Sequence, residues 1–301
     1  MTNLRELLVP LTPQSAKVDA YIADTYVQEA VTQLVSLDID PADFARRYSM
    51  LLLKPDAIVA RAVDKTLVWL RDNGFRVVAV RAVPVDRHFV RALWYFAWNI
   101  ASPERRRIAD LLAAVCDALV LVIASDTNTM PTPVRLAAGK GATNPAKRRP
   151  GELRYLLGRH NYLLNLVHSP DDPADVLREF AIYFDERTRA QVLTEIRTGR
   201  DRSGLASELG DHLYALTPAR DFDRDAALER ILTETGGAPP GFDPASDADC
   251  ARLLYRAWAQ DRPLDPWSVI VLGSHVLPMR TGTQPQTLPP VTAHDWLKDR
   301  P

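Results

Sequence analysis

His168 closes an apolar run of β type, Asn165-Leu166-Val167-His168, and Ser169-Pro170-Asp171-Asp172 and a fresh helical pattern follow at once. A histidine at the end of a buried strand is held rigidly and aimed at the loop side, which suits a nucleophile. The plain alternative is a strand-end imidazole satisfied by a neighbouring carbonyl. Lys54 stands before Pro55, which forces it out of the helical region and commits its side chain to one face of a strand end. Taken alone, Lys54-Pro55-Asp56 is a turn and Thr143-Asn144-Pro145 an Asx-type turn. Arg105-Arg106-Arg107 reads first as a helix face, and Lys147-Arg148-Arg149 as a solvated charge run.

The elements that must position these residues follow from periodicity and punctuation. Residues 1–12 read as a loose leader, and from Ser15 apolar positions recur at helical spacing to Val35. Asp40-Pro41-Ala42-Asp43 signals a helix start. Residues 48–54, 75–85, 118–124 and 162–167 read as strands. Helices are expected over 62–73, from Asp86, from Ser102 to about Val115, and over 173–184. Residues 125–149, rich in Thr, Pro and Gly, read as a loop. The order β-α-β-α-α-β-loop-β-α is that of an α+β fold of ferredoxin-like, split-βαβ type, with an antiparallel sheet covered by helices. Beyond it come Arg/Asp-rich helices at 187–197 and 225–232, a Gly/Pro break, a helix near 247–259, a strand-like run at 267–272 and a Pro-rich tail. The expected division is 1–47, an N-terminal helical extension; 48–186, the α+β domain; and 187–301, a mainly helical C-terminal extension.

Composition narrows the function classes. The 301 residues carry 37 Lys+Arg against 38 Asp+Glu, so a net charge of −1 gives no bulk field that would recommend nucleic acid or an anionic membrane. Cys116 and Cys250 are the only cysteines and form no C-x-x-C pair, so a zinc site or disulfide framework has little support. The first residues lack an export pattern, and the apolar runs fall short of the ~20 residues that span a bilayer, so a cytoplasmic location is expected.

Four motifs, in order along the chain, carry a resemblance: Lys54-Pro55-Asp56-Ala57, Ala142-Thr143-Asn144-Pro145, Pro150-Gly151-Glu152-Leu153-Arg154 and Asn165-Leu166-Val167-His168. In that order, residues 48–185 resemble the nucleoside diphosphate kinase family. The resemblance implies that His168 takes the phosphoryl group and that Glu179, eleven residues on, orients its ring. It also implies that Lys54, Arg135, Thr143 and Arg154 bind phosphate, and that Asn165 touches a ribose hydroxyl. Arginine forks match phosphate oxygens, and phosphoryl transfer asks mainly for charge neutralisation and alignment. Mg²⁺ would come with the nucleotide and be held mainly by its phosphates and water.

Departures from the family pattern are equally specific. The aromatic base clamp aligns near Arg106, a serine two places after the histidine is Pro170, and Trp94 stands where a tyrosine is usual. Arg135 reaches the family arginine's role only if Lys140-Gly141 is a local insertion. The expected activity is transfer of the γ-phosphoryl of a nucleoside triphosphate through phospho-His168 to a nucleoside diphosphate or a related phosphorylated acceptor. The alternative is a catalytically weak or inactive nucleotide-binding regulator or scaffold acting through its appended helices. For self-association, the extensions leave a dimer as open as the family's hexamer.

Overall fold

A computed structural model of the chain describes residues 3–127, 129–158 and 160–298. The N-terminal segment is packed: α1 (Leu4–Leu8) and a 3₁₀ turn, Val9–Leu11, bury Leu8 and Leu11 completely, so no loose leader exists over these residues. The helix expected from Ser15 is two, α2 (Ser15–Ile22) and α3 (Thr25–Ser36). The break is set by Asp24, whose carboxylate accepts from the N–H groups of Tyr26 and Val27 as an N-cap. Helix α4 (Pro41–Arg47), capped by Asp40, leads into strand β1 (Tyr48–Leu53). Pro55 then opens the short α5 (Pro55–Val59), and α6 (Val63–Asp72) leads to β2 (Phe75–Val83). Between β2 and β3 (Ala118–Ser125), α7 (Arg87–Leu93) and α8 (Pro103–Ala113) form a hairpin joined by a 3₁₀ stretch, Tyr95–Ile100.

The stretch after β3 is not a plain loop. It contains α9 (Thr132–Lys140) and, further on, α10 (Leu153–Leu156). Strand β4 shrinks from the expected six residues to Val167–His168. The Asn161 side chain accepts from the N–H groups of Leu163 and Leu164, and Leu166 takes a positive φ of 67°, so the chain turns there instead of extending. Helix α11 (Pro173–Tyr183) follows, capped by Asp172.

The four strands form one antiparallel sheet in the order β2-β3-β1-β4. Side-chain alternation along β1 sends Met50 and Leu52 into one core, with the N-terminal helices and α11, and Leu51 and Leu53 into the other. The fold is therefore the ferredoxin-like α+β sandwich.

The C-terminal extension is helical: α12 (Glu186–Arg197), α13 (Ser203–Leu216), α14 (Arg224–Thr235), α15 (Asp247–Ala259), α16 (Pro266–Val276) and α17 (Ala293–Lys298). The run at 267–272, read as strand-like from sequence, lies in α16, whose first turn is capped by Asp265 accepting from Ser268 N–H. Burial on all sides removes the 3.6-residue pattern that would have revealed a helix. Helix α16 shares a third core with α8, where Gly273 lets the helices meet; a Cβ there would lie 2.7 Å from Ile108 Cδ1. On the outer edge of the sheet, Arg202 N–H donates to Val77 O at 2.8 Å, Arg76 donates to Gly199 O at 2.7 Å, and Arg81 pairs with Glu195 at 2.7 Å. Among the described residues no helix is long and apolar enough to cross a membrane.

Candidate active site

The end of β1, the end of β4, α11 and the α9–α10 connection meet around a cavity of about 820 Å³. His168 lines it. Its Nε2 lies 2.9 Å from Glu179 Oε1, and Tyr183 OH donates to Glu179 Oε2 at 2.9 Å. Glu179 and Tyr183 are one helical turn apart on α11, so one face of that helix presents both. Burial, and then the adjacent Glu179 charge, raise the Tyr183 phenol well above its ordinary value, which keeps it a donor. With Nε2 directed at a carboxylate, Nδ1 is the ring nitrogen left for chemistry. The Trp94 ring meets the imidazole edge-on, centroids 5.3 Å apart.

Lys54 ends β1 with its ammonium in the same cavity, donating to Leu163 O at 2.9 Å and paired with Asp56 at 3.2 Å. Asp56 also accepts from Leu166 N–H at 3.0 Å, so one carboxylate ties the lysine to the turn before β4. Burial lowers the Lys54 pKa, Asp56 opposes that, and Arg154 adds to it. Arg154 donates to Gly141 O, to Thr143 Oγ1 at 3.1 Å and to Val167 O at 2.6 Å; its Nε is buried without a hydrogen-bond partner among the described residues. Burial and then the neighbouring Arg148 bring Arg154 down to about 10, so it stays cationic at neutral pH. Asn165 lines the cavity with its amide donating to Tyr162 O at 2.9 Å.

His168, Glu179, Lys54, Thr143, Arg154 and Asn165 are thus brought together, and two other expected residues are not. Arg135 turns away from the cavity, donating to Asn73 O and Gly74 O and to Ser125 Oγ, with its guanidinium over the Phe75 ring. Arg106 is exposed and does not line the cavity; Arg105 does, because one residue is a rotation of about 100° on a helix. Its guanidinium lies 5.5 Å from the centroids of both Trp98 and Tyr162. Nor is Arg148 part of a solvated run: it is buried and donates to Ala142 O, Thr143 O and Gly158 O, stapling the loop that carries Thr143.

Lys140, which sequence reasoning passed over, supplies the cation that Arg135 does not. It is 4% exposed, lines the cavity, and donates to Ser169 Oγ at 2.8 Å and Ser169 O at 3.1 Å. Burial, and then the Arg154 charge, bring it down to about 8. Its position between Gly139 and Gly141 was the available signal. The N-terminal extension also reaches the site: Lys17 donates to Asp172 and Asp175, each at 2.9 Å, and Tyr21 OH donates to Asp175 at 2.6 Å. These contacts fix the first turn of the helix that bears Glu179.

Residues 47–188 match the family model described as nucleoside diphosphate kinase. The nucleoside diphosphate kinase of Roseiflexus castenholzii is 27% identical over 158 residues, spanning 51% of this chain and 95% of that protein. That of Methanothermobacter thermautotrophicus is 28% identical over 142 residues, spanning 46% and 87%. The solved nucleoside diphosphate kinase of Halobacterium salinarum in complex with CDP aligns with a TM-score of 0.41 at 18% identity, covering 46% of this chain and 88% of that one. Family match and fold put the chain in the class of nucleotide phosphotransferases at the family level. Residues 47–188 belong to the nucleoside diphosphate kinase family.

Proposed function

We propose that the chain is a phosphotransferase that moves the γ-phosphoryl group of a nucleoside triphosphate through phospho-His168 to a nucleoside diphosphate or a related phosphorylated acceptor. The observation that carries this reading is the His168–Glu179 contact of 2.9 Å inside a cavity that also holds Lys54, Lys140 and Arg154. An ionised Glu179 makes Nε2 the protonated nitrogen, leaving the Nδ1 lone pair as nucleophile. It also stabilises the positive charge the ring gains as the N–P bond forms. Lys54, Lys140 and Arg154 neutralise the polyphosphate, Thr143 adds a hydroxyl, and transfer proceeds in two half-reactions with ping-pong kinetics.

Among the described residues no three His, Cys, Asp or Glu side chains stand together as a metal cage. A Mg²⁺ ion would enter with the nucleotide and supply charge neutralisation. In this reading residues 48–186 carry the chemistry, and residues 1–47 and 187–301 are extensions that pack around it.

Incubation with Mg²⁺ and γ-labelled ATP is expected to give an acid-labile, base-stable label that is lost in His168→Ala. A wild-type protein that binds the nucleotide but takes no label refutes the kinase reading and leaves the nucleotide-binding regulator in its place.

A further inference from the structure

The cavity at His168 has two chemically different ends. Cations cluster at one, where Lys54, Lys140 and Arg154 surround the loop bearing Thr143. The other end lies in the α7–α8 hairpin and is lined by Phe89, Val90, Leu93, Ala109, Leu112 and Ala113. The segment following α16 covers this space as a strap. Arg280 pairs with Ala101, Asn99 donates to Pro285 O at 2.8 Å, and Thr287 N–H donates to Phe96 O at 3.0 Å. Gln14 then donates to Pro289 O at 2.9 Å, and α17 packs against α9. The strap so runs from the hairpin side of the cavity to the α9 side, and it adds Leu288, Pro289, Pro290 and Val291 to the lining, with Gln286 and Thr292 beside them.

Several groups that could read a nucleoside are already engaged. Arg105 lies against both Trp98 and Tyr162, so these two rings already carry a guanidinium. The Trp98 indole N–H donates to Val90 O at 2.9 Å, and the Asn165 amide to Tyr162 O. A ribose and base pushed against the apolar residues of the hairpin end would leave polar atoms unpaired there.

We infer that the acceptor of phospho-His168 is a phosphate ester with a compact apolar body, its phosphate among Lys54, Lys140 and Arg154 and its body between the α7–α8 hairpin and the strap. The inference rests on the phosphohistidine reading of this site. An anionic phosphate oxygen of the acceptor attacks phosphorus and the P–N bond breaks with its electron pair returning to Nδ1. A P–O–P linkage forms, and the ring is left neutral with its proton on Nε2, so neither a base nor a further reactant is required. The nucleoside triphosphate donor needs only its triphosphate in the cationic end, and donors differing in base serve alike.

The experiment separates this inference from the reading it rests on. Labelled phosphoenzyme, made with γ-labelled ATP and freed of nucleotide, is challenged with geranyl phosphate, isopentyl phosphate, phenyl phosphate, ADP and GDP. At least one apolar phosphate is expected to discharge the label tenfold or more faster than either nucleoside diphosphate; ADP or GDP matching the best of them overturns the inference while leaving the phosphohistidine standing. Leu288→Asp, a half-buried strap position, is expected to slow that discharge at least tenfold, and an unaltered rate counts against the assigned wall. If no label forms, the phosphotransferase reading fails, and calorimetry on the intact protein still decides the ligand class. Geranyl phosphate binding tenfold more tightly than GDP supports the apolar end as its site, and equal or weaker binding overturns it.

Discussion

Replacing Lys140 by methionine should make the protein cheaper to fold at neutral pH and worse at its chemistry, and the first effect should disappear at high pH. Lys140 is 4% exposed and held at about 8, against 10.5 for an ordinary lysine, chiefly by burial. That gap corresponds to about 3 kcal/mol by which folding disfavours the charged amine. Below pH 8 the amine is protonated in both folded and unfolded chains and the whole cost is present. Between pH 8 and 10.5 the unfolded chain binds the extra proton, so stability rises with pH; above 10.5 both forms are neutral and the cost is gone. Methionine removes the cost but also the donor to Ser169 O and Oγ, a loss of about 1–3 kcal/mol, so at pH 7 the variant should lie between equal and about 2 kcal/mol more stable. Urea unfolding of both proteins from pH 7 to 10 is the assay. The stability difference should move in favour of the wild type by up to about 3 kcal/mol over that range. A difference that stays constant would refute the argument. In the same variant, labelling of His168 should fall at least about tenfold, because a cation facing the polyphosphate is lost.

Two other substitutions probe the frame around the site. Glu179→Gln preserves shape but removes the charge opposite the imidazole, and should cut the rate of His168 labelling by about 10²-fold and alter its pH profile; an unchanged profile would reduce Glu179 to packing. Asp24→Ala removes both the α3 cap and the partner of buried Arg178, 2.8 Å away, and should cost about 3 kcal/mol or more in thermal or urea unfolding; a cost below about 1 kcal/mol would mean that the Arg178 contacts to Ala92 O and Leu93 O suffice.

Much of this frame was legible because its signals are local. Asp40, Asp86, Ser102 and Asp172 each stand one residue before a helix and accept a backbone N–H three positions on, and alternation along β1 gives strand and sheet face together. The spacing from His168 to Glu179 leads to the observed contact because α11 begins where its cap says it should. What sequence reading missed depends on long-range burial. Helix α9 hides among prolines and glycines, and α16 has no polar face to mark its period. Arg135 turns to the backbone ahead of β2, and Lys140, for which sequence reading found no role, lines the cavity. The strap is rich in Pro, Thr and Gln, a composition that says nothing of the wall against which it lies.

The covering of β2 by the chain's own C-terminal extension has a consequence for assembly. An edge strand with free backbone groups is a template on which a second copy can continue the sheet. Here Arg202 N–H donates to the strand at Val77 O, the Arg76 side chain donates to Gly199 O, and α12 and α13 lie against the same strand. A two-fold joining of sheets through β2 would first have to peel the extension away. Association between copies of this chain that leaves the extension in place would use another face.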